Sequence, residues 1–208
     1  YIFRFSKNQG GSAGFAKGIT KSLKYKPDWI WIMDDDACPY QNALENIIKV
    51  RRKIKETTKI GAFCSSVIEG GKTASYHQKN FNWIIGTTKS IILNKNHREK
   101  SLDIDIASFV GLLISSNAAL DVGVPIKKLF ISHDDMEYSL RLRSSKYSIF
   151  LVPSSKIKHP KKLGPRLASD FGNRHYLDIR NHLFVVKKYS FIKVIAITFS
   201  LIRSLKVF

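Results

Sequence analysis

A chain of 208 residues with 44% hydrophobic and 12% aromatic side chains can bury one substantial core, which excludes a disordered tail or a short-period repeat array. Lys and Arg number 35 against 16 Asp and Glu, a formal charge of +19, so a large partner is expected to be anionic: nucleic acid, a lipid surface or a sugar phosphate. Cys38 and Cys64 are too few for a disulfide framework or a structural zinc site, which suits a reducing compartment, and no apolar stretch reaches the ~18–20 residues of a spanning helix.

Tyr1–Phe5 alternates like a strand met in mid-fold, so the chain is expected to lack an N-terminal part. Gly10, Gly11 and Gly14 predict a loop, followed by a helix from about Phe15 to Tyr25. Trp29–Met33 is a continuous apolar run of the length of a buried parallel strand, and it stops abruptly at Asp34-Asp35-Asp36. Ala43, Leu44, Ile47, Ile48 and Val50 to Ile54 keep helical spacing, and Ile60–Val67 reads as the next strand. Two strand-loop-helix units in succession favour an α/β sheet with right-handed crossovers. Irregular segments and short strands are expected over Ile68–Glu99. Asp105–Ser115 is apolar but interrupted at Gly111, and a short helix over Asn117–Val122 is closed by Gly123. Ser132 or His133 is expected to cap a helix through Leu142, Ser148–Val152 to form a strand, and Arg174 onward to run as a basic amphipathic helix to the end.

Three consecutive carboxylates where an apolar strand emerges lie at the edge where open α/β sheets bind ligands. Their mutual repulsion is reversed by a divalent cation, and Mg²⁺ or Mn²⁺ suits such oxygen donors when substrate phosphates complete the shell. Asp34 and Asp36 point the same way from an extended segment and either share the metal or divide between metal and ribose. The glycine segment Asn8–Phe15 opens a helix whose amide groups favour a phosphate or sugar oxygen, although glycines serving only a tight turn fit the motif as well. Lys17 on the first turn meets either an anion or water. In His133-Asp134-Asp135-Met136-Glu137 a carboxylate serves as an N-cap or as a general base. Asp134 would raise its neighbour's proton affinity and Arg141 would lower it. His159 is a chemically apt metal ligand, although a lone histidine is more often a packed core residue.

Asn8–Gly18, Asp28–Ala37, Ala107–Gly111, Phe130–Tyr138 with Arg141, and Arg174–Asn181 together resemble the family 2 glycosyltransferases of GT-A fold, in particular the galactofuranosyl- and rhamnosyl-transferase-like branch. The resemblance runs in family order over nearly the whole chain. It implies a Rossmann-like mixed α/β sheet flanked by helices, with an N-terminally incomplete catalytic domain over 1–173 and a helical C-terminal segment over 174–208. It implies that Asp34, Asp36 and His159 hold Mn²⁺ or Mg²⁺ and that Asp135 is the catalytic base. Asn8, Gly10, Gly11, Gly14, Lys17 and Asp35 would face the donor, and Phe109, Gly111 and Asp134 the acceptor. The implied reaction is inverting transfer of galactofuranose or rhamnose from a UDP or dTDP donor to a glycan or lipid-linked acceptor. The expected location is cytoplasmic, either free or peripheral on the inner face of the membrane, because Arg174–Phe208 interleaves basic and apolar residues in a way that suits anionic lipid and equally a solvated basic face over a buried stripe. The alternatives are a nucleic-acid or anionic-surface binder, disfavoured by the acidic triad and the lack of a nucleic-acid motif, and a catalytically inactive truncated transferase.

Overall fold

A computed structural model describes residues 2–94, 97, 100–160 and 175–205. The apolar runs become strands β1 (Trp29–Ile32), β3 (Ile60–Glu69), β9 (Leu112–Ser115) and β10 (Ser148–Lys158), with β2 (Cys38–Pro39), β4 (Lys72–Thr73) and β7 (Leu102–Ile104) added to the same sheet. Its path is β1-β9-β3-β10-β2, with β4 on β3 and β7 on β10. The β3–β10 pair is parallel and the remaining pairs are antiparallel, so the sheet is mixed. A smaller sheet is built from β5 (Gln78–Phe81), β6 (Thr88–Ser90) and β8 (Ile106–Ala107).

Helices cover both faces of the main sheet because its strands alternate two apolar sets. Ile30, Ile32, Ala62, Cys64, Leu112 and Ile114 pack with Ile19 of α1 (Gly10–Ser22), Ala118 of α3 (Ser116–Val122) and Tyr138 of α4 (Asp134–Ser144). Phe63, Leu113 and Val152 face the other way, against Ile47 of α2 (Ala43–Lys53). Pro153, which has no N–H to give a ladder, falls where the β3–β10 register shifts between Val152 and Lys156.

Four expectations are corrected. Trp29–Ile32 runs in the same sense as β3, but β9 is inserted between them in the opposite sense, so β1 pairs antiparallel at a sheet edge. Residues 2–5 form no ladder: alternation makes a strand only where a free edge receives it, and here the Phe3 and Phe5 rings meet each other at 5.0 Å instead. The glycines are not a loop before the helix but its first turns. Gly10 sits at φ +78°, and a Cβ there would run into the Phe130 carbonyl, whose oxygen accepts the Ser12 N–H at 3.1 Å. Last, the C-terminal run divides into α5 (His175–Tyr189) and α6 (Lys193–Leu205). The break occurs where the N–H groups of Phe191 and Ile192 donate to the carbonyls of Trp83 and Ile84 at 2.8 and 2.9 Å. Arg174, Lys206, Val207 and Phe208 lie outside the described residues.

The α5 helix is what holds the approach to α4. Between Leu129 and α4 the chain passes through three non-glycine residues of positive φ, Phe130, Ser132 and His133. Asn181, fully buried, places Nδ2 2.8–2.9 Å from the carbonyls of Leu129, Ile131 and Ser132, which share its two hydrogens, and Arg180 donates to Lys128 O and Leu129 O. His133 occupies the N-cap position of α4 but gives no side-chain cap, because its Nε2 is engaged with Asp178 at 3.0 Å. Burial pushes Asp178 up, but His133 first and then Arg203 and His182 outweigh it and hold the carboxyl at about 2. The inner side of α4 adds Glu137, which accepts from Arg141, Lys188 and Tyr189.

Asn181→Ala removes the donor from three carbonyls at once and is expected to lower the unfolding free energy by about 2–4 kcal/mol, read from urea denaturation. A pH series is also informative. Burial depresses His182, which packs on His133 and bonds Ser200, to about 3. The unfolded chain takes up a proton near pH 6.5 while the folded chain does not, so this contribution is complete above pH 6.5 and is lost progressively as pH falls towards 3. Over that window stability is expected to drop by a few kcal/mol, and His182→Gln is expected to flatten the dependence.

Candidate functional site

The loop between β1 and β2 carries the acidic triad. Because β1 and β2 occupy opposite ends of the sheet path, residues 33–37 cross the ends of β3 and β10. A turn in which the Ala37 N–H donates to Asp34 O at 3.2 Å returns the chain to β2. One residue past β10, His159 is tied to β3 by its own N–H, which donates to Ile68 O at 3.0 Å. Its ring therefore stands beside Glu69, the last residue of β3, and under the acidic loop.

The distances define two overlapping clusters. His159 Nε2 lies 3.3 Å from Asp36 Oδ1 and 3.8 Å from Asp34 Oδ2, and His159 Nδ1 lies 2.9 Å from Glu69 Oε1. Glu69 Oε1 also meets His77 Nε2 at 3.1 Å, and Tyr76 OH donates to Glu69 Oε2. Asp34, Asp36 and His159 each offer one ligand atom within 4.8 Å of the others. This donor set fits Mn²⁺ or Mg²⁺: two hard carboxylate oxygens and one imidazole, half open to solvent, leave room for further oxygen ligands. The local charge points the same way. Asp34 is pushed above the ordinary carboxyl range by burial first, and by Asp36, Asp135 and Asp35 against the opposing pull of His159.

Asp135 thus stands within electrostatic reach of Asp34, and its charge also acts on His77. Half-buried at the N-terminus of α4, it accepts the Met136 N–H at 2.7 Å. Asp134 differs from its neighbour: it is only 8% exposed, and burial first and the Asp135 charge second push it up to about 7. Arg141 does not act on the Asp135 carboxylate by contact. It is committed to Glu137 at 2.6 Å and to the carbonyls of Val122 and Val124.

Other residues singled out from the sequence have local partners. Asn8 Oδ1 accepts the Gly10 N–H at 2.9 Å, and a Cβ on Gly11 or Gly14 would meet nothing within 4 Å, leaving this side of α1 bare. Asp35 is exposed on the acidic loop. Lys17 Nζ lies over the Phe3 ring at 4.5 Å, a cation–π contact. Phe109 is only 4% exposed, its ring held between Phe15 and Tyr138, so anything this segment offers an acceptor comes from its backbone and neighbours rather than from that ring. Gly111, at φ +79°, is required by packing, because a Cβ would stand 2.7 Å from the Ile157 side chain. Ser108 stood within the Ala107–Gly111 motif without a role of its own, and Glu69, Tyr76 and His77 escaped the sequence reading. Their one local signal is an acid closing a long apolar strand just before Gly70-Gly71.

The profile of glycosyl transferase family 2 matches residues 1–117. Galactofuranosyltransferase GlfT1 of Mycolicibacterium smegmatis is 26% identical over 157 residues, covering 74% of this chain and 51% of the relative. Galactofuranosyltransferase GlfT1 of Mycobacterium tuberculosis H37Rv is 24% identical over 137 residues, covering 65% and 44%. The chain therefore spans about half the length of these relatives. The crystal structure of GalNAc-T7 with UDP, GalNAc and Mn²⁺ superposes with a TM-score of 0.63 at 15% identity, covering 89% of this chain and 36% of that one. The fold is GT-A, a mixed sheet flanked by helices.

Proposed function

This chain belongs to glycosyl transferase family 2, and from that premise we propose that it transfers galactofuranose from a nucleoside-diphosphate donor to a saccharide acceptor, with inversion at the anomeric carbon. Galactofuranose is preferred to rhamnose because the two relatives similar in sequence named above are galactofuranosyltransferases. The observation that carries the mechanism is the cluster of Asp34, Asp36 and His159, with the Asp135 charge acting on Asp34 from the start of α4.

Asp135 takes the proton from the acceptor hydroxyl as that oxygen forms its bond to the anomeric carbon, and the bond to the diphosphate oxygen breaks with its electron pair. Asp34, Asp36 and His159 would hold Mn²⁺ or Mg²⁺. When bound, the ion supplies positive charge for the departing diphosphate. The bare side of α1 at Gly11 and Gly14 allows close approach of a donor to backbone.

We propose further that the chain works on the inner face of a membrane, where an acceptor carried on lipid would be presented. Phe191 is 85% exposed and Val194 75%, and Ile195, Phe199, Leu201 and Ile202 continue the exposed apolar face of α6. Lys187 and Lys193 are exposed nearby, and an apolar face flanked by lysine suits anionic lipid. No helix among the described residues is long and apolar enough to cross a bilayer.

Asp135→Asn is expected to reduce UDP release from UDP-galactofuranose by about 10²–10⁴-fold while leaving calorimetric UDP affinity in Mn²⁺ unchanged. Near-normal turnover would refute the base assignment, and metal-independent UDP binding would refute the metal assignment. For the membrane proposal, the wild-type chain should float with vesicles containing phosphatidylglycerol and lose this on Phe191→Asp with Val194→Asp. Equal flotation of the two proteins would count against it.

A further inference from the structure

Three groups face the Glu69 carboxylate, and each is able to donate to it. One carboxylate group receives His159 Nδ1, His77 Nε2 and the Tyr76 hydroxyl. A carboxylate only accepts hydrogen bonds, so both imidazole nitrogens that face it carry hydrogen. For a neutral His159 the closer contact decides the tautomer: Nδ1, hydrogen-bonded to Glu69 Oε1 at 2.9 Å, bears the proton, and the Nε2 lone pair faces Asp36 at 3.3 Å and Asp34 at 3.8 Å. The same rule makes His77 Nδ1 an acceptor, and it meets the Ser108 hydroxyl at 2.8 Å. Ser108 is fixed in turn by its N–H, which donates to His77 O at 2.9 Å.

Two ligand sets share His159. Glu69, His77 and His159 also bring three donor atoms together. A cation there would have to displace both imidazole protons that now bond Glu69 Oε1, and it would use the Nδ1 nitrogen of His159. The hydrogen-bonded arrangement leaves Nε2 of His159 available instead, on the side of the two aspartates. A carboxylate behind a ligating histidine orients the ring and raises its basicity.

We propose that Glu69 is a positioning residue for the metal set, holding His159 in the Nδ1–H tautomer with Nε2 directed at Asp34 and Asp36, and that Tyr76 and His77 hold Glu69 in place. This rests on the metal reading of the proposed function. It also links that set to the segment after β8, because Ser108 stands between the Glu69 network and Phe109–Gly111.

The test uses the full chain and two readouts. Mn²⁺ affinity is followed by loss of the free-ion electron paramagnetic resonance signal, with and without UDP. The His159 tautomer is read from ¹⁵N shifts and long-range ¹H–¹⁵N couplings in metal-free protein. Glu69→Ala is expected to weaken Mn²⁺ binding about 10–100-fold and to release His159 into a tautomer mixture. Glu69→Gln, whose amide oxygen still accepts the Nδ1–H, should keep the tautomer and recover most of the affinity. His159→Ala and Asp36→Ala should lose Mn²⁺ more completely. If Glu69→Ala binds Mn²⁺ as wild type does, or weakens it with the tautomer unchanged, the positioning role is overturned and the metal set stands. If His77→Ala removes Mn²⁺ while Asp36→Ala does not, the ion belongs to the Glu69–His77–His159 cluster and the proposal is overturned. If the wild-type chain binds no Mn²⁺, or binds it unaffected by His159→Ala and Asp36→Ala, the metal reading itself fails and takes the proposal with it.

Discussion

The parallel ladder between β3 and β10 is the constraint on which the site depends. It continues one residue beyond β10, where the His159 N–H bonds Ile68 O, and so sets an imidazole beside the carboxylate that closes β3. Register in a sheet has period two, and a slip of one residue would turn His159 to the opposite face and separate it from both Glu69 and the acidic loop. The irregularity at Pro153 belongs to the same account: it absorbs the missing donor within the strand and lets the ladder resume at Lys156. Everything else at this edge is brought to the ladder, the triad by the crossing loop and Asp135 by α4.

Charge distribution sharpens this. Among only 16 acidic residues in a chain of +19, six stand at one edge: Asp34, Asp35, Asp36, Glu69, Asp134 and Asp135. Such crowding is costly, and the residues divide the cost by different means. Glu69 is kept ionised by three donors despite its burial, and its carboxyl lies below the usual range. Asp34, without such donors, is pushed upward, and Asp134 more so. Burial, rather than residue type, sets Asp134 apart from the half-buried Asp135 beside it.

How much of this was legible follows from which features are local. The apolar run ending in three aspartates is a local pattern, and it located both β1 and the acidic loop. The antiparallel pairing of β1 is not local, because the inserted strand β9 lies about eighty residues further on in sequence. Glycines signalled an irregular backbone at the correct place, yet the helix begins at Gly10: one glycine supplies the positive φ and the close approach to Phe130, and the following ones are tolerated within the first turns. Alternation at residues 2–5 carries the pattern of a strand without a partner. Glu69 was hidden for a different reason. An acid at the end of an apolar strand looks like a solvated hairpin residue, and only the fold brings His77 and His159 to it from opposite directions.

The C-terminal helices show why a motif can be recognisable and its role unreadable. Asn181 and Asp178 stand in the Arg174–Asn181 stretch that resembles the family, but nothing in that stretch says what they touch. In the fold they hold a segment some fifty residues earlier, where three positive-φ residues bend the chain into α4. Those conformations are unfavourable for residues other than glycine, and the local sequence does not supply what stabilises them. The α5 side chains supply it, Asp178 by accepting from His133 and Asn181 by donating to the carbonyls of Leu129, Ile131 and Ser132. The same bend offers the Phe130 carbonyl to the Ser12 N–H, so one buried asparagine fixes both the start of α1 and the direction in which α4 presents Asp135. The starts of α1 and α4 are thus registered against each other through α5, which makes this helix part of the candidate site's geometry although none of its residues stands at the acidic edge.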